Sequence, residues 1–148
     1  MTTRSLDATL YKNEEFERRL AHEVERAAKG GRPYAVLAFT PQHLPGESVS
    51  DAIDVAIECV RRLLRSDDLV GSLDGEIVAV GLRETDGTEA GIFAHRVQGD
   101  LRLRSARLRN TVWEAGIAIL PQDGATAAEL FGNAVHEAKT RRRRLGML

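Results

Sequence analysis

Few side chains in this sequence have the type and spacing to do chemistry. Asp74 and Glu76 flank Gly75, and carboxylate oxygens are the ligands that hard divalent cations take. The dipeptide Asp74-Gly75 also accepts the positive φ angles of a type I′ hairpin turn. That role accounts for both residues and leaves Glu76 at the edge of a strand. His43 and His136 have no second ligand at metal spacing, so neither is expected to hold a metal. Cys59 is the only cysteine. It can form neither an internal disulfide nor a cysteine-based metal site, and it reads as a small core residue in a reducing compartment. A basic run, Lys139 with Arg141, Arg142, Arg143 and Arg144, could neutralise phosphate, but the helix dipole favours cations at a helix C-terminus whatever the ligand. No aromatic residue interleaves with that run, as a surface for single-stranded nucleic acid would require. No nucleic-acid partner is expected.

The elements that must position these groups are written in the apolar pattern. A chain of 148 residues with 43% apolar content can bury one core, so one domain over residues 1–148 is expected. The formal net charge of -1 gives no global attraction to nucleic acid or an anionic membrane. Residues 1–11 contain no apolar signal-peptide core, and no apolar run approaches the ~18 residues of a membrane helix. A cytoplasmic protein is expected. After Asn13, read as an N-cap, Phe16, Leu20, Val24 and Ala27 recur at helical spacing up to Gly30-Gly31. The run Tyr34-Ala35-Val36-Leu37-Ala38-Phe39, closed by Thr40-Pro41, reads as a buried strand. Val49, Ile53, Ala56, Ile57, Val60, Leu63 and Leu64 mark a second helix ending near Arg65. Residues 69–73 and 77–80 flank the hairpin. Thr88, Ala90, Phe93, Val97 and Leu101 suggest a third helix, and a strand follows through Val112, Trp113, Ala115, Ile117 and Ile119. Trp113 is expected to fill core or cover a sheet edge. Thr126 and Glu129 form a capping box for a last helix carrying Leu130, Ala134, Val135 and Ala138.

Without the first helix, this order predicts an α/β (α+β), ferredoxin-like, nucleotide-cyclase-like fold: a central antiparallel-mixed sheet with a hairpin at Asp74-Gly75 and helices on one face. The residues then narrow the choice. Thr9-Leu10-Tyr11 before Phe16 resembles the "TGLYN…F" opening of the GGDEF, or diguanylate cyclase, family. Residues 69–78, from Leu69-Val70-Gly71 to Ile77-Val78, resemble "DLVARLGGDEF". Ala115-Gly116-Ile117-Ala118 is similar to "SIGVA", Leu120-Pro121-Gln122-Asp123-Gly124 to "LPEDG", and Ala138-Lys139 to the "AK" of the family's last helix. The resemblance covers residues 9–144. Each motif is short, but their order and spacing on matching elements carry it.

The departures from that pattern bear on activity. The resemblance implies two divalent cations, held by one carboxylate at the end of the first family strand and another at the third hairpin position. Thr40 replaces the first, and Glu76 keeps the second. The signature reads Asp74, Gly75, Glu76, Ile77, Val78; Asp74 sets a negative side chain where the family's first glycine lets backbone approach the nucleotide. The loop around His43-Leu44-Pro45-Gly46-Glu47 is shorter than the family's and lacks its guanine-reading Asn and Asp. No catalytic residue, metal or cofactor is therefore expected. The resemblance also places the family's inhibitory cyclic di-GMP site, R-x-x-D, at Arg65 and Asp68, with a third member at Arg96. Guanidinium forks bond phosphate or the O6 and N7 edge of guanine, and a carboxylate accepts from guanine N1 and N2. Arg65 also reads as a helix C-terminal cation, Asp68 as a loop residue and Arg96 as a solvated one. Lys139 and Arg143 match family positions that touch substrate phosphate, and His136 stands where the family usually has Tyr. Three functions stay open: an inactive cyclic di-GMP receptor domain, a protein-interaction or homodimerisation module that binds no nucleotide, and residual diguanylate cyclase activity.

Overall fold

A computed structural model of the chain describes residues 10–11, 13–42, 49–104 and 112–146. Strand β1 (Leu10–Tyr11) precedes helix α1 (Asn13–Gly30), strand β2 (Tyr34–Gln42), helix α2 (Val49–Arg61), strands β3 (Leu69–Leu73) and β4 (Ile77–Arg83), helix α3 (Gly87–Arg104), strand β5 (Val112–Leu120) and helix α4 (Ala127–Gly146). The sheet order is β1-β3-β4-β2-β5. The four longer strands pair antiparallel and β1 runs parallel to β3, so the sheet is mixed, as expected.

Side-chain alternation along β2 builds two cores. Ala35, Leu37 and Phe39 face α2 and α3. Tyr34, Val36 and Ala38 face α1 and α4. The sequence pattern predicted helices on one face. The two crossover helices do share a face, but α1 and α4 cover the other, because the apolar stripe Phe16, Leu20, Val24, Ala27 needs a partner of its own. Both faces of the sheet are therefore buried.

Several boundaries move. Helix α2 stops at Arg61, four residues before Arg65, and Leu63 and Leu64 pack against the core from the turn that follows. Strand β2 continues through Thr40-Pro41 to Gln42. Beyond Phe39 it pairs with β5 alone, so Pro41 sits on a local edge, where the missing N–H is tolerated. Asn13 is the first residue of α1 rather than its predecessor, and its amide nitrogen donates to Oδ1 of Asp74 at 3.2 Å. The capping box of α4 forms as expected: Glu129 N donates to Thr126 Oγ1 at 3.2 Å and Thr126 N to Glu129 Oε1 at 3.3 Å. A second box, Asp86 with Glu89, caps α3.

The outer edge of β5 is covered. Gln98 donates to Trp113 O at 3.0 Å, Ile117 N donates to Glu137 at 2.8 Å, and Ile119 N donates to Asp123 at 2.8 Å. These bonds occupy backbone groups that could otherwise pair with another strand. Trp113 is buried in the α2/α3 core, and Cys59 is buried there too. Among the described residues, no helix is long and apolar enough to cross a membrane.

Candidate functional site

The turn that follows α2 is organised around one carboxylate. Asp68 N donates to Arg65 O at 3.0 Å, and Arg65 N donates to Asp68 Oδ2 at 2.9 Å, so the four residues close on themselves. Asp68 Oδ1 accepts the N–H of Arg83, the last residue of β4, at 3.1 Å. Its side chain is only 2% exposed. A buried carboxylate must be hydrogen-bonded, and two backbone donors and the Arg65 Nε at 3.5 Å meet that need.

Arg65 leaves the turn in the opposite sense, with 64% of its side chain exposed. One nitrogen, Nη2, donates to Arg83 O at 2.6 Å and to Thr85 Oγ1 at 3.3 Å. Thr85 is buried and itself donates to Arg83 O at 3.0 Å. The guanidinium is thereby held by the end of β4 through Nη2 and by Asp68 through Nε, while the side chain as a whole stays largely exposed. Arg65 is thus no cation of the last turn of α2.

Arg96 lies on the exposed side of α3, opposite Ala90, Ala94, Val97 and Leu101. Among the described residues it forms neither a hydrogen bond nor an ion pair with Arg65 or Asp68. The structure therefore brings Arg65 and Asp68 together and places Arg96 as an exposed cation on α3. It also adds residues that sequence reasoning missed. The Arg83 side chain bonds Glu23 of α1 through Nε at 3.1 Å and Nη2 at 2.7 Å, and Asp67 through Nη1 at 3.1 Å. No local pattern announces the Arg83 side chain or N–H, since the partners of those groups are 15 to 60 residues away. Glu23 and Arg83 also line a cleft of about 300 Å³ with Arg26, Arg32 and Tyr34. The Tyr34 hydroxyl is buried without a hydrogen-bond partner among the described residues, and burial raises its pKa.

The other end of the sheet carries the hairpin. Asp74 and Gly75 have φ of 56° and 68°, as a type I′ turn requires, and Glu76 N donates to Leu73 O at 3.2 Å. The register pairs Leu73 with Ile77, so Glu76 stands in the loop, exposed, one residue beyond a two-residue turn. Ile77 and Val78 are buried, on the α1/α4 and α2/α3 faces respectively. Thr40 is 1% exposed and its Oγ1 has no hydrogen-bond partner among the described residues. Directly across the strand pair stands Glu114, whose carboxyl burial pushes up in pKa while Arg141 pulls it down.

A pair of hard cations needs several carboxylate oxygens. Here a buried hydroxyl and one exposed hairpin carboxylate occupy the corresponding positions, and among the described residues no group of three or more His, Cys, Asp or Glu could hold a metal. Thr40 and Glu76 by themselves, among the described residues, supply too few carboxylate oxygens for two cations. Lys139 is half-buried on α4 and His136 is exposed there; Arg143 lies on the same helix. His43 and the rest of its loop lie outside the described residues.

No protein-family model matches the sequence, and no curated protein matches it. Solved structures do. The GGDEF domain of YfiN (TpbB) from Pseudomonas aeruginosa is 26% identical, with 92% of each chain covered and a TM-score of 0.77. The GGDEF domain of DgcB from Caulobacter crescentus, solved in complex with c-di-GMP, is 14% identical over 97% of this chain and 91% of that one, with a TM-score of 0.78. The diguanylate cyclase SiaD from Pseudomonas aeruginosa, solved with its activator SiaC, is 19% identical over 90% of this chain and 55% of that one, with a TM-score of 0.76.

Proposed function

This chain has the fold of a GGDEF diguanylate cyclase domain, and from that premise we propose that it is a catalytically inactive signalling domain that binds cyclic di-GMP at the Arg65 turn. The observation that carries the receptor reading is the presentation of Arg65, a largely exposed guanidinium on a turn fixed by the buried Asp68 carboxylate. A fork held ready for phosphate oxygens or a guanine edge loses little side-chain freedom on binding. Arg65 and Arg96 contact the ligand in this reading. Asp68 enters as the residue that shapes the turn, because both of its oxygens already accept backbone N–H groups.

The reading of inactivity is supported by the opposite end of the sheet. Joining two GTP molecules requires cations that polarise the α-phosphate and stabilise departing pyrophosphate. Thr40 supplies one hydroxyl there, and Ile77 fills its position with a buried aliphatic group. Asp74 turns a carboxylate to the hairpin surface, where a triphosphate would meet like charge. Residual cyclase activity has least support. Titration of cyclic di-GMP and GTP, with a product assay alongside, tests both halves of the proposal.

One observation favours a second reading, a protein-interaction or homodimerisation module. Ile92 and Leu103 on α3 are 57% and 80% exposed, and exposed apolar side chains on one helix can seat a partner. Concentration-dependent mass with no nucleotide binding would select that reading. Either function is assigned to the cytoplasm.

A further inference from the structure

We infer that Arg83 is the positioning residue of the Arg65 turn and couples that turn to α1. The inference rests on the reading of the turn as a ligand site and assigns it a relay. Arg83 touches the turn at every point where a backbone or side chain can. Its N–H holds Asp68 Oδ1, its carbonyl accepts from Arg65 Nη2, and its Nη1 pairs with Asp67. The remaining guanidinium nitrogens, Nε and Nη2, both donate to Oε1 of Glu23 on α1. Glu23 is 14% and Arg83 30% exposed, so the pair is shielded from solvent more than an ordinary surface ion pair.

Arg83 stands where the pairing of β4 ends. It ends β4, and the next residue, Glu84, takes φ of 52°, a conformation that non-glycine residues seldom adopt. An anion that engages Arg65 competes with the Arg83 carbonyl for Nη2. Loss of that bond leaves the Arg83 carbonyl with the Thr85 hydroxyl alone, and in this inference the end of β4, with the side chain that grips Glu23, shifts in response. The apolar stripe through Phe16, Leu20, Val24 and Ala27 keeps α1 docked along its length, so the response is local to the turns of the helix around and after Glu23. Because coupling between two sites is reciprocal, loosening Glu23 must change the affinity of the Arg65 turn by the same factor that ligand changes the Glu23 contact.

Amide hydrogen exchange on the full chain, together with cyclic di-GMP titration, tests this. In the absence of ligand, Glu23→Gln should speed exchange of the Arg65, Asp68 and Arg83 amides by about threefold or more, while the β2 amides keep their rates. With ligand, exchange in residues 23–30 should change in the wild type and not in Arg83→Met. Binding should weaken about threefold to tenfold in Arg83→Met and recover in part in Arg83→Lys, which keeps a charge for Glu23. Unchanged ligand-free exchange at the turn in Glu23→Gln overturns the coupling whether or not nucleotide binds. Wild-type affinity in Arg83→Met overturns the positioning role. Absence of wild-type binding with the exchange response intact removes the ligand reading and leaves the mechanical link standing.

Discussion

The N–H of Arg83 donates to Asp68 Oδ1 at 3.1 Å, which ties the entry of β3 to the exit of β4 through a buried carboxylate. Substitution there should therefore act on folding before it acts on any ligand. Asp68→Ala leaves the Arg65 and Arg83 N–H groups without their acceptor, at a cost of about 2 kcal/mol or more. Arg65→Ala removes an exposed fork and should cost less than about 1 kcal/mol. Chemical denaturation of both variants checks the order. Equal, small losses would show that the turn holds without Asp68.

The hairpin predicts a different ranking. Asp74 adopts φ of 56° and accepts from Asn13. Asp74→Ala should destabilise by about 1 kcal/mol, because an L side chain without a local hydrogen bond is strained there. Asp74→Gly relieves that strain while losing the Asn13 bond, and should stay within about 0.5 kcal/mol of wild type. A stability of Asp74→Ala above that of Asp74→Gly would contradict the turn assignment.

Much of this could be read from the sequence, and the failures have physical causes. The apolar run of β2, the Asp74-Gly75 turn and the Thr126/Glu129 box are local codes, and they appear where their residues stand. Strand β1 was missed because two residues carry no periodicity and its pairing with Val70 and Gly71 is non-local. The Asp86/Glu89 box is as local a code as Thr126/Glu129 and is legible at the same spacing. Arg65 and Asp68 are marked by a family resemblance, but the burial of Asp68 depends on the end of β4 closing over it and has no local signal. Arg83 and Glu23 had no sequence signal, since their meeting depends on how α1 lies across the sheet.

Glu114 gives a pH dependence with a defined sign. Burial raises its carboxyl above the ordinary 4.5, so the folded state holds this proton more tightly than the unfolded chain. The resulting stabilisation is complete below pH 4.5 and is lost as pH rises through the folded value. Glu114→Gln should thus melt higher than wild type at pH 7, and the gap should close in acid. A gap that widens on acidification would show that Arg141 outweighs burial.

At the hairpin end, purified protein with magnesium or manganese and GTP should form no cyclic di-GMP. Thr40→Asp alone should not restore synthesis: it completes the carboxylate pair that the resemblance implies, but Asp74 still sets a negative charge where the triphosphate would approach and the guanine-reading Asn and Asp are still lacking. Product above a no-enzyme control, abolished by Glu76→Ala, would overturn the assignment of inactivity.

Calorimetric titration of cyclic di-GMP into wild type and Arg65→Ala tests the central claim most directly. Wild type should bind, and Arg65→Ala should lose roughly 1.5 to 3 kcal/mol, about one to two decades in Kd, while melting near the wild-type temperature. No heat from wild type at high micromolar ligand, or equal affinity in the two proteins, would contradict it.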